Sequence, residues 1–110
     1  MLKFLKFTGN TTDTDLLSTS SKTTNDSSIT VNRILITNTH DSNELTVDRL
    51  YIDDTTNEYD IIANVKIPVG ASLLLDEDIV STGIDFIKQK NKFQLKLTTT
   101  GGANCALIIK

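Results

Sequence analysis

Tyr59, Ile61, Ala63, Val65 and Ile67 alternate with mostly polar or small neighbours, and this period of two constrains the fold more than any other feature of the chain. Successive side chains on an extended strand point to opposite faces, so the pattern predicts a half-buried antiparallel strand. Leu95 and Leu97 continue the rhythm from Phe93, alternating with Gln94, Lys96 and Thr98. A sustained helical period is found nowhere. In the stretch from Ile79 to Lys90, Ile79, Val80, Ile84, Phe86 and Ile87 fit neither period and Gly83 intervenes. A short helix or an irregular crossover is expected there.

Around these segments, β-branched and aliphatic runs are punctuated by turn formers. Leu2 to Phe7 reads as a first strand. Ile29 to Thr37 reads as another, with Ile29, Val31 and Leu35 on one face and Ile34 and Ile36 on the other. Leu45 to Ile52 follows the loop Asn38 to Asn43 and places Leu45, Val47 and Tyr51 together; the two strands are expected to form a hairpin. Asp53 to Asn57 makes the next turn. Pro68-Val-Gly70 fits a turn with Pro second and Gly fourth, leading into a strand from Ala71 to Leu75. Gly101-Gly102 offers backbone with positive φ for a closing hairpin, whose return strand, Ala103 to Ile109, sets Cys105, Leu107 and Ile109 on one face. With so few Gly and Pro, several loops are expected to be Asx turns built by Asn and Asp.

Seven or eight short strands of this kind predict an all-β fold, an antiparallel β-sandwich or jelly roll with an extended N-terminal arm. A chain of 110 residues accommodates one core. From Thr8 to Ser28 the only apolar side chains are Leu16 and Leu17. This segment is either a disordered arm or an extended strap pinned by the leucine pair, because so few apolar groups do not repay the entropy of ordering. The organisation expected is therefore residues 1–28 as strand and polar strap, and residues 29–110 as the β domain.

Composition narrows function mainly by exclusion. With 11 basic and 14 acidic residues the net charge is −3, which leaves no electrostatic footprint for nucleic-acid phosphates. The segment Met1 to Phe7 is apolar and basic, but it lacks the apolar run and cleavage site of a signal peptide. No stretch approaches the ~20 apolar residues of a membrane helix. A single cysteine, Cys105, gives no internal disulfide and fits synthesis in a reducing cytoplasm.

Catalytic chemistry finds little to build on. Nucleophilic catalysis would require His40, the only histidine, as base, yet it lies in a polar loop far in sequence from Cys105, itself mid-strand among apolar residues. One Cys and one His cannot make a zinc site. Asp53, Asp54, Asp60, Asp76, Glu77 and Asp78 supply oxygen ligands that calcium could use, but without EF-hand spacing; solvated acidic turns give the same pattern. The same carboxylates could serve a glycosidase, although the chain has no Trp and few aromatics to floor a sugar site. No enzyme, cofactor or metal is expected.

Two features point instead to binding. The amphipathic start supplies Leu2, Phe4, Leu5 and Phe7, and with Leu16 and Leu17 these are the candidate partner-binding residues; an ordinary edge strand of the same domain is the competing reading. Some strands are also apolar on both faces, as with Leu35 between Ile34 and Ile36, so that one face can be core and the other an interface. An internal strand covered on both sides gives the same pattern.

Three segments of the C-terminal half carry a family resemblance: Leu50 to Tyr59, Ile67 to Asp76, and Phe93 to Asn104 followed by Ala106 to Lys110. Together with Ile34 to Thr39, the Ile-Pro-Val-Gly turn and the closing Leu-Lys-Leu segment, they resemble small virion proteins of tailed bacteriophages, notably T4-like phages of marine cyanobacteria. The likeness covers residues 29 to 110 and carries no catalytic residue. It implies a sandwich-like module in the virion, a head decoration or cement protein that binds other virion proteins, major capsid or neck and tail, as a homo-oligomer or symmetric array. A carbohydrate- or receptor-binding module of a tail or baseplate is the alternative implied.

Overall fold

A computed structural model describes residues 3–17, 31–76 and 94–110. It is all-β. Eight strands, β1 (Lys3–Phe7), β2 (Thr11–Asp15), β3 (Ile34–Asn38), β4 (Leu45–Asp53), β5 (Glu58–Ile67), β6 (Ser72–Leu75), β7 (Gln94–Thr100) and β8 (Cys105–Ile109), form two four-stranded antiparallel sheets. Their orders are β1-β8-β3-β6 and β2-β7-β4-β5. β1 pairs with β8, β2 with β7, β3 with β6 and β4 with β5. The chain thus folds back on itself as one long hairpin and rolls up, so that alternate pairs fall in opposite sheets. Of the two architectures expected, this strand order is the jelly roll.

That roll overturns both expected hairpins. β3 and β4 lie in different sheets, as do β7 and β8, and among the described strands only β4 and β5 are consecutive and joined side by side. Local side chains make the crossovers. The Asn38 amide is buried, donating to the carbonyls of Asn43 at 2.9 Å and Ile67 at 3.0 Å while its oxygen accepts from His40 N at 3.0 Å. At the other crossover Gly101 and Gly102 do have positive φ, 99° and 67°, but they steer β7 out of one sheet and β8 into the other. A side chain on Gly101 would collide with the carbonyl oxygen of Glu44. After β5, Ala71 N donates to Pro68 O at 3.0 Å, which makes Pro68 first in its turn and Gly70 third, not second and fourth. Gly70 has φ 76°, the value a type II turn needs at that place.

Core residues come from the inward faces of both sheets. Ile34, Ile36, Leu107 and Ile109 meet Leu50, Leu95 and Leu97 in one buried cluster that also takes Cys105. Each such side chain, fully buried, stabilises the fold by about 1.5–3 kcal/mol. Besides Asn38, Thr11 and Thr99 are the buried polar residues among those described, and they satisfy each other: their hydroxyls are 3.0 Å apart and each hydroxyl accepts the other residue's backbone N–H.

Face assignments fail wherever the ladder slips. The amides of Asn32 and Arg33 both donate to Lys110 O, at 2.6 and 3.0 Å, a bulge that turns Val31 inward although Leu35 faces out. In β4 the register against β7 slips between Val47 and Arg49. Leu45 and Val47 are therefore joined in the core by Leu50 and Ile52, and Tyr51 goes to the opposite face. β5, expected to be half-buried, is an edge strand in which only Ile67 is buried. Its alternation is broken by a register shift opposite Leu50 and Tyr51 and by Asn64 at φ 56°.

The polar strap is ordered as far as it is described. Its segment Thr11–Asp15 is β2, and Leu16 and Leu17 are both fully buried in the core. Leu16 N donates to Leu95 O at 2.8 Å, and Asp15 Oδ1 accepts from Leu17 N at 2.9 Å. The expectations for Leu2, Ile29, Phe93 and the stretch from Ile79 to Lys90 lie outside the described residues. The Asx turns are present at the β4–β5 connection, where Asp53 accepts from Thr55 N and Asp54 from Thr56 N and Asn57 N.

Candidate contact surface

The two sheets present opposite chemistry to the outside. On the β2-β7-β4-β5 face, Arg49 lies 3.9 Å over the Tyr51 ring and bridges to Glu58 at 3.0 Å and Asp60 at 2.7 Å. Lys96 Nζ meets Asp53 at 3.0 Å. Tyr51 Oη donates to Asp13 Oδ1 at 2.6 Å, and Thr98 donates to the same oxygen at 3.2 Å. The centre of this face is a network in which Arg49, Glu58, Asp60, Lys96 and Asp53 satisfy one another.

Its pH behaviour follows from Tyr51. The Tyr51 hydrogen bond first, then that of Thr98, holds the Asp13 carboxyl below its usual range, while burial first and Asp13 second push the phenol up. A lowered Asp13 contributes stability above about pH 4, lost as pH falls through the folded value; a raised phenol contributes below about pH 10, lost as pH rises. Tyr51→Phe is therefore expected to be less stable at neutral pH, and to lose less further stability toward either extreme. Urea melts from pH 2 to 11 check this, and parallel profiles for the two proteins would refute it. Asp53, also lowered, by Thr55 N–H and then Lys96, keeps part of the acid slope in both.

The outward face of the β1-β8-β3-β6 sheet carries an apolar row. Register puts Phe4 opposite Ile108, Ile108 opposite Leu35 and Leu35 opposite Leu74, one row across all four strands. Side chains directly opposite on one face sit ~4.5–5.5 Å apart at Cβ, so the four form a continuous strip. Phe4 is 68% exposed and Leu74 57%. Single exposed apolar side chains are ordinary, whereas a contiguous strip across four strands is a candidate contact site. Beside it lies a cavity of about 180 Å³ lined by Arg33, Leu35, Leu74, Ile108 and Lys110. The other flank is polar and small, with Thr37 and Ser72 hydroxyls 2.9 Å apart, Ala106 and, opposite it, Lys6.

The six residues read from sequence as partner-binding separate here. Phe4 stands on the strip, but Leu5 and Phe7 are half-buried against the core and Leu16 and Leu17 lie within it, so these four serve the chain's own interior. Leu2 lies outside the described residues. β1 itself is the edge strand of the competing reading, paired with β8. Leu35 had been legible as the outer member of a two-faced strand. Leu74 and Ile108 were missed, although Leu73-Leu-Leu75 and Leu107-Ile-Ile109 carry the same signal: consecutive apolar residues make both faces of a strand apolar.

Groups considered for chemistry are otherwise engaged. His40 Nδ1 accepts from Ser42 N at 3.0 Å and Asn43 N at 2.9 Å, which makes the ring part of the loop's structure. Cys105 faces the core, fully buried, and burial pushes its thiol up to about 11, away from nucleophilic character. Asp53, Asp54 and Asp60 spend their oxygens on turn amides and on Lys96 and Arg49. Among the described residues no three Asp, Glu, His or Cys side chains gather as a metal would require. No helix among them is long and apolar enough to cross a membrane. Comparison of the chain with protein-family models, curated proteins and solved structures finds no match in any of the three.

Proposed function

We propose that the chain is a non-catalytic structural protein of a tailed-phage particle, of the decoration or cement kind, attached through the outer face of its β1-β8-β3-β6 sheet. The observation that carries this reading is the apolar strip Phe4, Ile108, Leu35 and Leu74, set against an opposite face where Arg49 is paired with Glu58 and Asp60, and Lys96 with Asp53. The resemblance of residues 29–110 to small virion proteins supports it, and jelly rolls recur in viral capsids, an analogy of fold. The protein would be made in the host cytoplasm and act on the virion, with other virion proteins as partners.

Size says how such attachment works. Four strands ~4.8 Å apart and about five residues long present only ~300 Å² of flat face, against ~800 Å² per partner in a standard stable contact. One copy alone binds weakly, and a symmetric array of copies on one particle supplies the missing strength by multivalency.

Cosedimentation of the purified chain with separated heads and tails of such phages tests the reading. Saturable binding at a fixed number of copies per particle is expected. If the chain stays in the supernatant and mass spectrometry finds none in purified virions, the reading fails; retention on host glycans in place of particles favours a receptor-binding module.

A further inference from the structure

We propose that the cavity beside the strip is an anchor pocket for one apolar side chain of a protein partner that carries carboxylates next to it. The inference deepens the contact reading above and rests on it. Three observations converge on this occupant.

Size comes first. At about 180 Å³ the cavity is below the ~300–1,000 Å³ of pockets that enclose small-molecule ligands. A single side chain is the right scale, and buried anchors of that kind dominate contact energies. Walls come second: Leu35, Leu74 and Ile108 are aliphatic and continue the strip, so the inserted group is apolar.

Charge comes third, and it selects the partner. Arg33 and Lys110 close the pocket on one side, and among the described residues neither pairs with a carboxylate. Lys6 stands at the other flank of Phe4. Arg33 and Lys110 are backbone-paired neighbours, and Lys6 shares their face across the strip, on a chain whose net charge is −3. Arg33 offers the planar fork that binds carboxylates in bidentate fashion. A second copy of this chain is a poor occupant, because a two-fold contact that joins two such pockets sets Arg33 and Lys110 against their own copies. The partner that fits is an acidic surface with a protruding apolar residue.

The test uses the full chain, labelled with ¹⁵N, and three synthetic pentapeptides as probes: Glu-Glu-Phe-Glu-Glu, Glu-Glu-Ala-Glu-Glu and Lys-Lys-Phe-Lys-Lys. The first is expected to shift the amides of Leu35, Leu74 and Ile108, with the second at least about tenfold weaker, as loss of a buried Phe requires. Added salt weakens the first peptide. Arg33→Gln with Lys110→Gln, both at exposed positions, retains the native spectrum and weakens it several-fold. Equal binding of the lysine peptide overturns the proposal, as do shifts confined to other residues. Shifts at these amides on raising protein concentration alone, or on adding vesicles of anionic lipid without any peptide response, also overturn it, in favour of a second copy or a membrane. Particle binding unchanged by the double substitution refutes the pocket and leaves the virion reading standing; peptide shifts without particle binding do the reverse.

Discussion

A chain shortened by its first 28 residues is expected to lose cooperative unfolding altogether. The deletion removes one edge strand from each sheet, β1 and β2, and two core side chains, Leu16 and Leu17, both fully buried. Truncating either leucine to alanine costs about 2–5 kcal/mol through lost burial and the cavity left behind. Together they approach the ~5–15 kcal/mol that holds a domain folded. The newly bared edges of β8 and β7 would also be open to pairing with other chains. Urea melts followed by circular dichroism check this. The graded version is Leu17→Ala alone, expected to lower the unfolding free energy by about 2–5 kcal/mol while leaving the strip untouched. A truncated chain that still unfolds in one sharp transition would show that residues 3–17 are an appendage.

The second large effect is expected at the crossover between β7 and β8. Gly101→Ala places a Cβ against Glu44 O, a backbone atom that cannot swing aside, at a φ of 99° that L residues rarely adopt. Backbone strain of ~1–3 kcal/mol and a displaced neighbour of ~1–3 kcal/mol combine to about 2–6 kcal/mol of destabilisation. Gly70→Ala is the matched control: its φ is 76°, but nothing lies within 4 Å of the new atom, so only the strain of about 1–2 kcal/mol remains. Denaturant midpoints for the two variants separate steric collision from backbone strain. Equal losses would mean that the close approach to Glu44 is not what fixes the crossover.

That crossover also shows where reading from sequence stops. Strand existence was legible, because alternation and turn residues are local: Leu95 and Leu97, or Cys105, Leu107 and Ile109, are buried as their spacing requires. Pairing was not. A Gly-Gly between two alternating runs is the local grammar of a hairpin, and only the distant carbonyl of Glu44 and the buried Asn38 amide turn such links into passages between sheets. Parity failed for a related reason. One extra residue at Asp48 moved Tyr51 from the core to the outer network, and a bulge depends on the partner strand, which the sequence does not display. The strip was half legible: apolar triplets announced two-faced strands, whereas the register that lines up Phe4, Ile108, Leu35 and Leu74 is a property of the whole roll.

The position of β8 between β1 and β3 has a consequence for biosynthesis. Both neighbours leave the ribosome long before it, and at ~5–20 residues per second they wait several seconds with their inner hydrogen-bonding edges unfilled. Neither can be satisfied by the chain made so far, since the strand that fills the gap is the last of the eight. Sheet closure is thus deferred until synthesis has passed Ile109, and a chain cut short before Cys105 lacks the strand that fills both edges. In a chain built in this order the facing edges of β1 and β3 stay unpaired until β8 arrives between them.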